Sequence, residues 1–454
     1  MFEPLYTAAE MRAAEERYPG FPETAPELME RAGTAVAREV LAAFPDARRF
    51  AVVCGGGANG GDGRIAARVL REAGRDAVET SAVEQADVIV DALFGTGFRG
   101  APRAEAATLI ERINAARGAV GASVVAVDLP SGVDASTGEA VGVAVRADLT
   151  VTFHACKLGL AISPGRFRAG DVVIVDIGLD EAETEAALVL PSILELVPRK
   201  QAHDNKYTAG SVLIVGGAPG LTGAVCLAAE AAFRADAGYV AVAVPEPSLA
   251  IVETKLLEPV KLSWGSALEA AEKAGAVAIG PGLGRTDEAK ALVGSLLTEL
   301  EQPVVLDADA LHDLDSLGLE PGDWRPPVVL TPHAGELGRL LGESSDWVSA
   351  HRLEAARRAA ERFGCVCLLK GADTIVAAPG ARTLVCPIDA PALATAGTGD
   401  VLTGVLAAYL AKGLDPRLAA AAAATVHGLA GRTLPERGAV AGDLVAALPL
   451  VLPG

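Results

Sequence analysis

Lysine is scarce in this chain, and its absence is uneven. None occurs before Lys157, which is the only lysine in the first 199 residues. Positive charge is short overall, with 39 Lys and Arg against 58 Asp and Glu, for a net charge of −19. Such a surface repels nucleic acid and anionic membranes, so neither is an expected partner. Long apolar runs are missing too. No uncharged stretch reaches the roughly 18 residues a membrane-crossing helix needs, so no membrane span is expected. The opening MFEPLYTAAEMRAAEE is acidic and amphipathic and lacks the apolar core of a signal peptide. The six cysteines (Cys54, Cys156, Cys226, Cys365, Cys367, Cys386) match no zinc spacing. The chain is too long to be a disulfide scaffold, so buried, reduced thiols in a cytoplasmic protein are expected. What remains is a small-molecule enzyme. Its anionic ligands must be met by helix ends, a metal or single cations.

The length of 454 residues allows two or three domains, and 51% hydrophobic residues supply a core for each. The stretch Thr395-Ala396-Gly397-Thr398-Gly399-Asp400 reads as a sharp loop that launches a helix over 401–412. The amide groups at a helix start attract anions, phosphate above all. Asp400 beside such a cradle has one chemical task that fits, taking a proton from a hydroxyl that attacks phosphate. Helix capping is its structural alternative.

Earlier in the chain, the apolar run 50–54 enters Gly55-Gly56-Gly57-Ala58-Asn59-Gly60-Gly61-Asp62-Gly63, and a helix is expected over 64–72. Here too Asp62 has an N-cap alternative. Strands expected at 86–91 and 123–128 end in Asp91 and Asp128, the latter followed by Leu129-Pro130-Ser131. Further strands are expected at 149–153 and 172–175. Strands alternating with helices imply a doubly wound parallel sheet, and ligands bind such sheets beyond the carboxyl ends of the strands. Asn59, Asp91, Asp128 and Ser131 all lie at such ends. An oxygen-only set suits a hard cation. Lys157 follows the strand VTFHAC as either a functional cation or a snorkelling side chain.

The pattern breaks between Pro191 and Asp204, which divides the chain into domains 1–198 and 199–454. A second alternating domain follows. Its strand ends carry Gly280–Gly284, Asp307 and Asp309, Thr331-Pro332-His333-Ala334-Gly335-Glu336, and Lys370-Gly371-Ala372-Asp373-Thr374. A lysine closing an apolar strand can reach nucleotide phosphates. Turn capping is the alternative for Asp307 and Asp309, and a structural turn is the alternative for His333.

Along nearly its whole length the chain resembles the bifunctional NAD(P)H-hydrate repair enzymes. These fuse an N-terminal epimerase domain of Rossmann-like fold to a C-terminal ADP-dependent dehydratase of ribokinase-like α/β fold. The resemblance rests on the Ala58–Gly63 turn, Val90–Gly97, Asp128–Gly132, Gly280–Gly284, Asp307–Leu311, Thr331–Glu336, Lys370–Thr374 and Gly397–Asp400. It implies that Asn59, Asp91 and Ser131 hold K+. It also implies that Ala58, Asn59, Gly60, Gly61 and Asp62, the loop Gly95, Thr96, Gly97, Phe98, Arg99, Gly100 and Ala101, and Asp128 contact the hydrated dinucleotide. The family usually has a second asparagine where this chain has Ala58. In the second domain, Ala224, Gly282, Gly284, His333 and Asp400 are implied to face the substrate. Lys370, Gly371, Ala372, Asp373, Thr374, Gly397 and Gly399 are implied to face ADP, with Mg2+. The implied substrates are the NADH and NADPH hydrates, with Asp400 and Asp128 as the catalytic residues. Ala-rich helices permit an interface, and a homo-oligomer is expected. A small-molecule kinase fused to a nucleotide-binding module is the alternative.

Overall fold

A computed structural model describes residues 1–119, 121–312, 314–319 and 323–453. Pro4–Ala187 with Ser349–His351 form one compact unit. Met1–Glu3, Leu188–Val348 and Arg352–Gly454 form the other. The division therefore falls ahead of the expected one after residue 198. The short apolar strand Ala186–Val189 joins the second unit's sheet, and Leu190 N donates to Met1 O at 2.8 Å.

The first unit is built on a six-stranded parallel sheet in the order Asp76–Glu79, Arg49–Cys54, Val88–Ala92, Ser123–Val127, Leu149–Phe153, Asp171–Val175. Alternate residues of each strand feed two cores. Val52, Val90, Val125 and Val151 pack with Val36, Val40, Ala66 and Leu70. Val53, Ile89 and Val124 pack with Ile110 and Ile113 of the helix Ala104–Ala119. Burying each such side chain contributes about 1.5–3 kcal/mol. The doubly wound expectation holds. Thr7 caps Ala8–Glu16 in a capping box with Glu10, and Pro26 sits in the first turn of Ala25–Ala43.

One expectation is corrected. The helix after the first strand runs Ala58–Glu72, so residues 58–63 are its opening turns and not a loop before it. Glycine in a helix costs about 1 kcal/mol relative to alanine. Here close packing requires it. A Cβ on Gly60 would lie 1.9 Å from Gly55 O, and one on Gly63 would lie 2.5 Å from Ala92 Cβ.

Among the described residues the second unit's sheet has eleven strands. Its parallel part runs Val260–Ser263, Tyr239–Val244, Ser211–Val215, Ala276–Ile279, Val304–Leu306, Val328–Leu330, Val366–Leu369. Asp373–Ala377 and Thr383–Pro387 then continue it antiparallel. These last two strands, like Val260–Ser263, escaped the sequence reading. The helix expected from residue 401 starts at Thr398, directly after Gly397 at φ 92°, a left-handed conformation that glycine adopts without strain.

Candidate active sites

In the first unit the parallel strands deliver their carboxyl ends to a cleft of about 1180 Å³. Ala58, Asn59, Asp62, Asp128 and the loop residues Gly95–Arg99 and Ala101 line it. Gly60, Gly61 and Gly100 are not in its wall. The helix Ala8–Glu16, for which the sequence suggested no site role, contributes Arg12 and Glu15. Phe94 and Phe98 stack at 4.8 Å between centroids and stiffen the loop.

Asp128 ends its strand with φ 66°. Its Oδ1 lies 2.7 Å from Lys157 Nζ and accepts from Thr152 Oγ1 at 3.0 Å. Lys157 is 1% exposed and also donates to Thr152 Oγ1 and the Phe153 carbonyl. Lys157 is thus not a snorkelling side chain; its ammonium is buried and is the counter-ion of Asp128. Thr152 was missed because a threonine inside a strand carries no local signal.

Asp62 is buried, lies in the second turn of its helix and caps nothing; the N-cap is Gly57. Burial above all, with the Asp128 and Glu15 charges behind it, pushes the Asp62 carboxyl up to about 8. Burial and Asp128 raise Glu15 as well. Two carboxyls with raised values therefore face the Asp128–Lys157 pair.

Below the cleft, Asp91 and Ser131 are fully buried. Ser131 Oγ donates to Asp91 Oδ1 at 2.6 Å, Ser131 N donates to Oδ2 at 2.8 Å, and Phe94 N donates to Ser131 Oγ at 2.9 Å. Burial pushes Asp91 to about 6, against the pull of the Ser131 and Leu93 hydrogen bonds. The buried Asn59 Nδ2 has no partner among the described residues. A buried carboxylate, a hydroxyl and an amide, with no ammonium or guanidinium among the groups acting on Asp91, make an oxygen set that fits a hard cation.

The second site gathers on the helix Thr398–Ala411. Asp400 lies half-buried in its first turn and makes no cap hydrogen bond, so the capping alternative is excluded. Burial first, then the Asp307 and Asp309 charges, pushes its carboxyl up to about 7, with Lys370 opposing. The first-turn amides lack partners within the helix. A Cβ built on Gly399 would lie 3.6 Å from Lys370 Nζ, so the lysine stands at this helix end. Lys370 Nζ donates to Asp307 Oδ1 at 2.8 Å. Burial alone would lower the lysine, but the Asp307, Glu336 and Asp400 charges together with the Asp307 hydrogen bond outweigh it and raise it.

Asp307 is 1% exposed and caps nothing. Asp309 instead accepts from Gly284 N at 3.0 Å and Arg285 Nε at 3.1 Å, which leaves Gly284 N–H occupied within the protein. Gly282 takes φ 59°, and Ala224 lies half-buried in the first turn of Thr222–Arg234. His333 caps the helix Ala334–Leu341. Its Nδ1 accepts from Gly335 and Glu336 amides, and its side chain is 59% exposed. The structural alternative therefore accounts for Nδ1, while Nε2 lies 3.4 Å from Glu336 Oε1. In the run 370–374, Asp373 is buried against Arg352 (Nε to Oδ2, 3.0 Å), and Thr374 Oγ1 folds back on the Gly371 carbonyl at 2.9 Å. Their side chains build the turn.

His427 was missed. It is buried, its Nε2 lies 2.8 Å from Thr398 O, and burial lowers it to about 4, which keeps it neutral. A histidine in an alanine run was the available signal.

Comparison with known proteins agrees with this division. The family model described as NAD(P)H-hydrate dehydratase matches residues 212–450, and that described as YjeF-related protein N-terminus matches 25–85 and 74–159. The bifunctional NAD(P)H-hydrate repair enzyme of Moorella thermoacetica is 38% identical, over 94% of this chain and 92% of that protein. The chain belongs to the bifunctional NAD(P)H-hydrate repair enzymes. The member from Escherichia coli is 36% identical, over 94% of this chain and 89% of its own length. Among solved structures, the ADP/ATP-dependent NAD(P)H-hydrate dehydratase of Bacillus subtilis, co-crystallised with ATP and Mg2+, superposes with a TM-score of 0.52 at 30% identity. It covers 57% of this chain and 94% of that one. A ribokinase-like protein from Enterococcus faecalis (TM-score 0.54, 23% identity, covering 60% of this chain and 97% of that one) shares the fold of the second unit.

Proposed function

We propose that this repair-family chain interconverts the R and S hydrates of NADH and NADPH in its first unit, and dehydrates the S hydrate with ADP in its second. The observation that carries the second activity is Asp400. It is a half-buried carboxyl in the first turn of a helix, free of capping duty, with Lys370 at the same helix end. The hydrate bears a hydroxyl on ring carbon C6. Hydroxide leaves poorly, its conjugate acid having a pKa of about 15.7. Phosphate leaves far better, with a second pKa of about 6. Asp400 takes the hydroxyl proton, and the oxygen attacks the terminal phosphorus of ADP, releasing AMP. The Ala396–Gly399 amides and Lys370 hold the transferring charge. Phosphate then departs with the C6–O bond, and loss of the C5 proton restores the ring double bond. Mg2+, when bound, would neutralise the nucleotide phosphates and would be held largely through those phosphates and water, with Asp307 engaged by Lys370 and Asp373 by Arg352.

In the first unit the C6 carbon adjoins the ring nitrogen, whose lone pair expels a protonated hydroxyl. Asp62 supplies that proton. Water adds to the opposite face of C6 and gives its proton to Asp128, which is paired with Lys157. Asn59, Asp91 and Ser131 would hold K+ beneath this cleft and so compensate the buried Asp91 charge. Free thiols throughout the chain suit a cytoplasmic setting.

A coupled assay tests the reading. Mixed R and S NADH hydrate with ADP should regain NADH absorbance to completion, with AMP and phosphate appearing in step. Unchanged absorbance overturns it. A stable phosphorylated hydrate made at the expense of ATP would instead identify a small-molecule kinase.

A further inference from the structure

The groups of the second site come from strands and a helix far apart in sequence, and one buried side chain joins them. Asp307, 1% exposed, uses both carboxylate oxygens. Oδ1 accepts from Lys370 Nζ at 2.8 Å and from Thr331 Oγ1 at 2.8 Å; Oδ2 accepts from Thr403 Oγ1 at 2.7 Å. Thr403 is fully buried and stands three residues after Asp400 on the same helix, so the two share a helix face. Lys370 closes the strand Val366–Leu369, and Thr331 closes Val328–Leu330. One carboxylate therefore ties the phosphate-facing ammonium to the helix that bears Asp400.

We infer that Asp307 is a positioning residue for phosphoryl transfer, setting the separation between Lys370 and Asp400 by gripping Lys370 and Thr403 at once. This rests on the dehydratase reading above. Three of the roughly four acceptor sites of the Asp307 carboxylate are taken by these donors, and with the residue 1% exposed its main engagement is within the protein. Its replacement leaves Lys370 without its nearest anchor; the lysine's other carboxylate neighbour, Glu336, is 3.8 Å away. The helix would also lose the Thr403 hydrogen bond to the strand-end Asp307, while His427 still holds Thr398 O. Displacing a catalytic group by about 1 Å costs on the order of 100-fold in rate.

The charged groups bearing on Asp400 are Asp307, Lys370 and Asp309. Since Asp307 raises Asp400, removing its charge moves the acid limb of the dehydration profile to lower pH, an effect that loss of packing would not produce.

The test uses the full chain with S-NADH hydrate, ADP and Mg2+. Asp307→Asn should lower kcat about 100-fold, with KM for ADP changed less than about threefold, and shift the acid limb downward. Thr403→Val should lower kcat about tenfold and Thr403→Ser should restore it, with circular dichroism and melting temperature recorded for each. An Asp307→Asn variant with wild-type kcat overturns the inference. So does a Thr403→Ser variant as impaired as Thr403→Val, or a fall in rate that tracks melting temperature with an unmoved acid limb. If the wild-type chain itself fails to dehydrate the hydrate, the proposed function falls instead. ADP titration calorimetry on the same proteins still reads the inference, since Asp307→Asn should then alter the enthalpy of binding at Lys370 and an identical isotherm would overturn it.

Discussion

Asp400 and Asp62 share a condition that decides how each works. Both are carboxyls withdrawn from water with no cation gripping them, and burial is the leading cause of their raised values of about 7 and about 8. Asp128 and Asp307 are equally withdrawn, but each has a lysine within 2.8 Å. The first pair can therefore exchange a proton near neutral pH, whereas Asp307 is held below the ordinary carboxylate range, against its burial, by the Lys370 charge. For Asp400 as base, kcat/KM for dehydration should rise with pH through about 7. Asp400→Asn should remove that limb and lower kcat by about 10²–10⁴, read in a pH series of initial rates. The same shift bears on stability with a definite sign. The fold favours the protonated form of Asp62, so its contribution is intact below the ordinary value of 3.8 and is lost as pH rises through about 8. Melting curves of Asp62→Asn across that window should fall less with pH than those of the wild type.

At the scale of elements, the glycine-rich segments are best understood as packing devices that also open a surface. Gly60 and Gly63 let the helix Ala58–Glu72 settle against the strand-end loop at Gly55 and against Ala92, which brings Asn59 and Asp62 to the cleft. A methyl on Gly60 meets backbone at 1.9 Å, whereas one on Gly56 meets nothing within 4 Å. Gly60→Ala should thus destabilise the first unit by about 3 kcal/mol, a fall of roughly 6–12 °C in its melting temperature. Gly56→Ala should stay within about 0.5 kcal/mol. Differential scanning calorimetry of the two variants checks this contrast. The helix Thr398–Ala411 likewise begins earlier than its apolar run. A pattern reading starts a helix where periodicity becomes visible, while the backbone starts it where Gly397 turns the chain.

For the whole molecule, two chemistries on one chain imply separable defects. Lys157→Met leaves Asp128 buried without its counter-ion and should slow R-to-S interconversion by about 10²-fold or more. Dehydration of purified S hydrate should proceed at the wild-type rate. Chromatography of a mixed hydrate sample after reaction should then show the S epimer consumed and the R epimer left. Much of this was legible in the residues. Strand ends at Cys54, Asp91, Asp128 and Lys370, the parallel cores and Asp400 all follow from apolar runs a few residues long, bounded by glycine or acid, and such signals are local. The antiparallel strands Asp373–Ala377 and Thr383–Pro387 were less visible, because their burial depends on neighbours from elsewhere in the chain. Sequence by itself determined the family and the alternating architecture, and pointed to Asn59, Asp62, Asp128 and Asp400 as candidate site residues. Tertiary structure alone decided that Lys157 belongs to Asp128, that Asp307 grips Lys370 and Thr403, and that Asp62 and Asp400 stand free of capping. Those facts join residues 63 and 96 positions apart in the case of Asp307. Charge pairing and desolvation act through space, and no pattern along the chain encodes them.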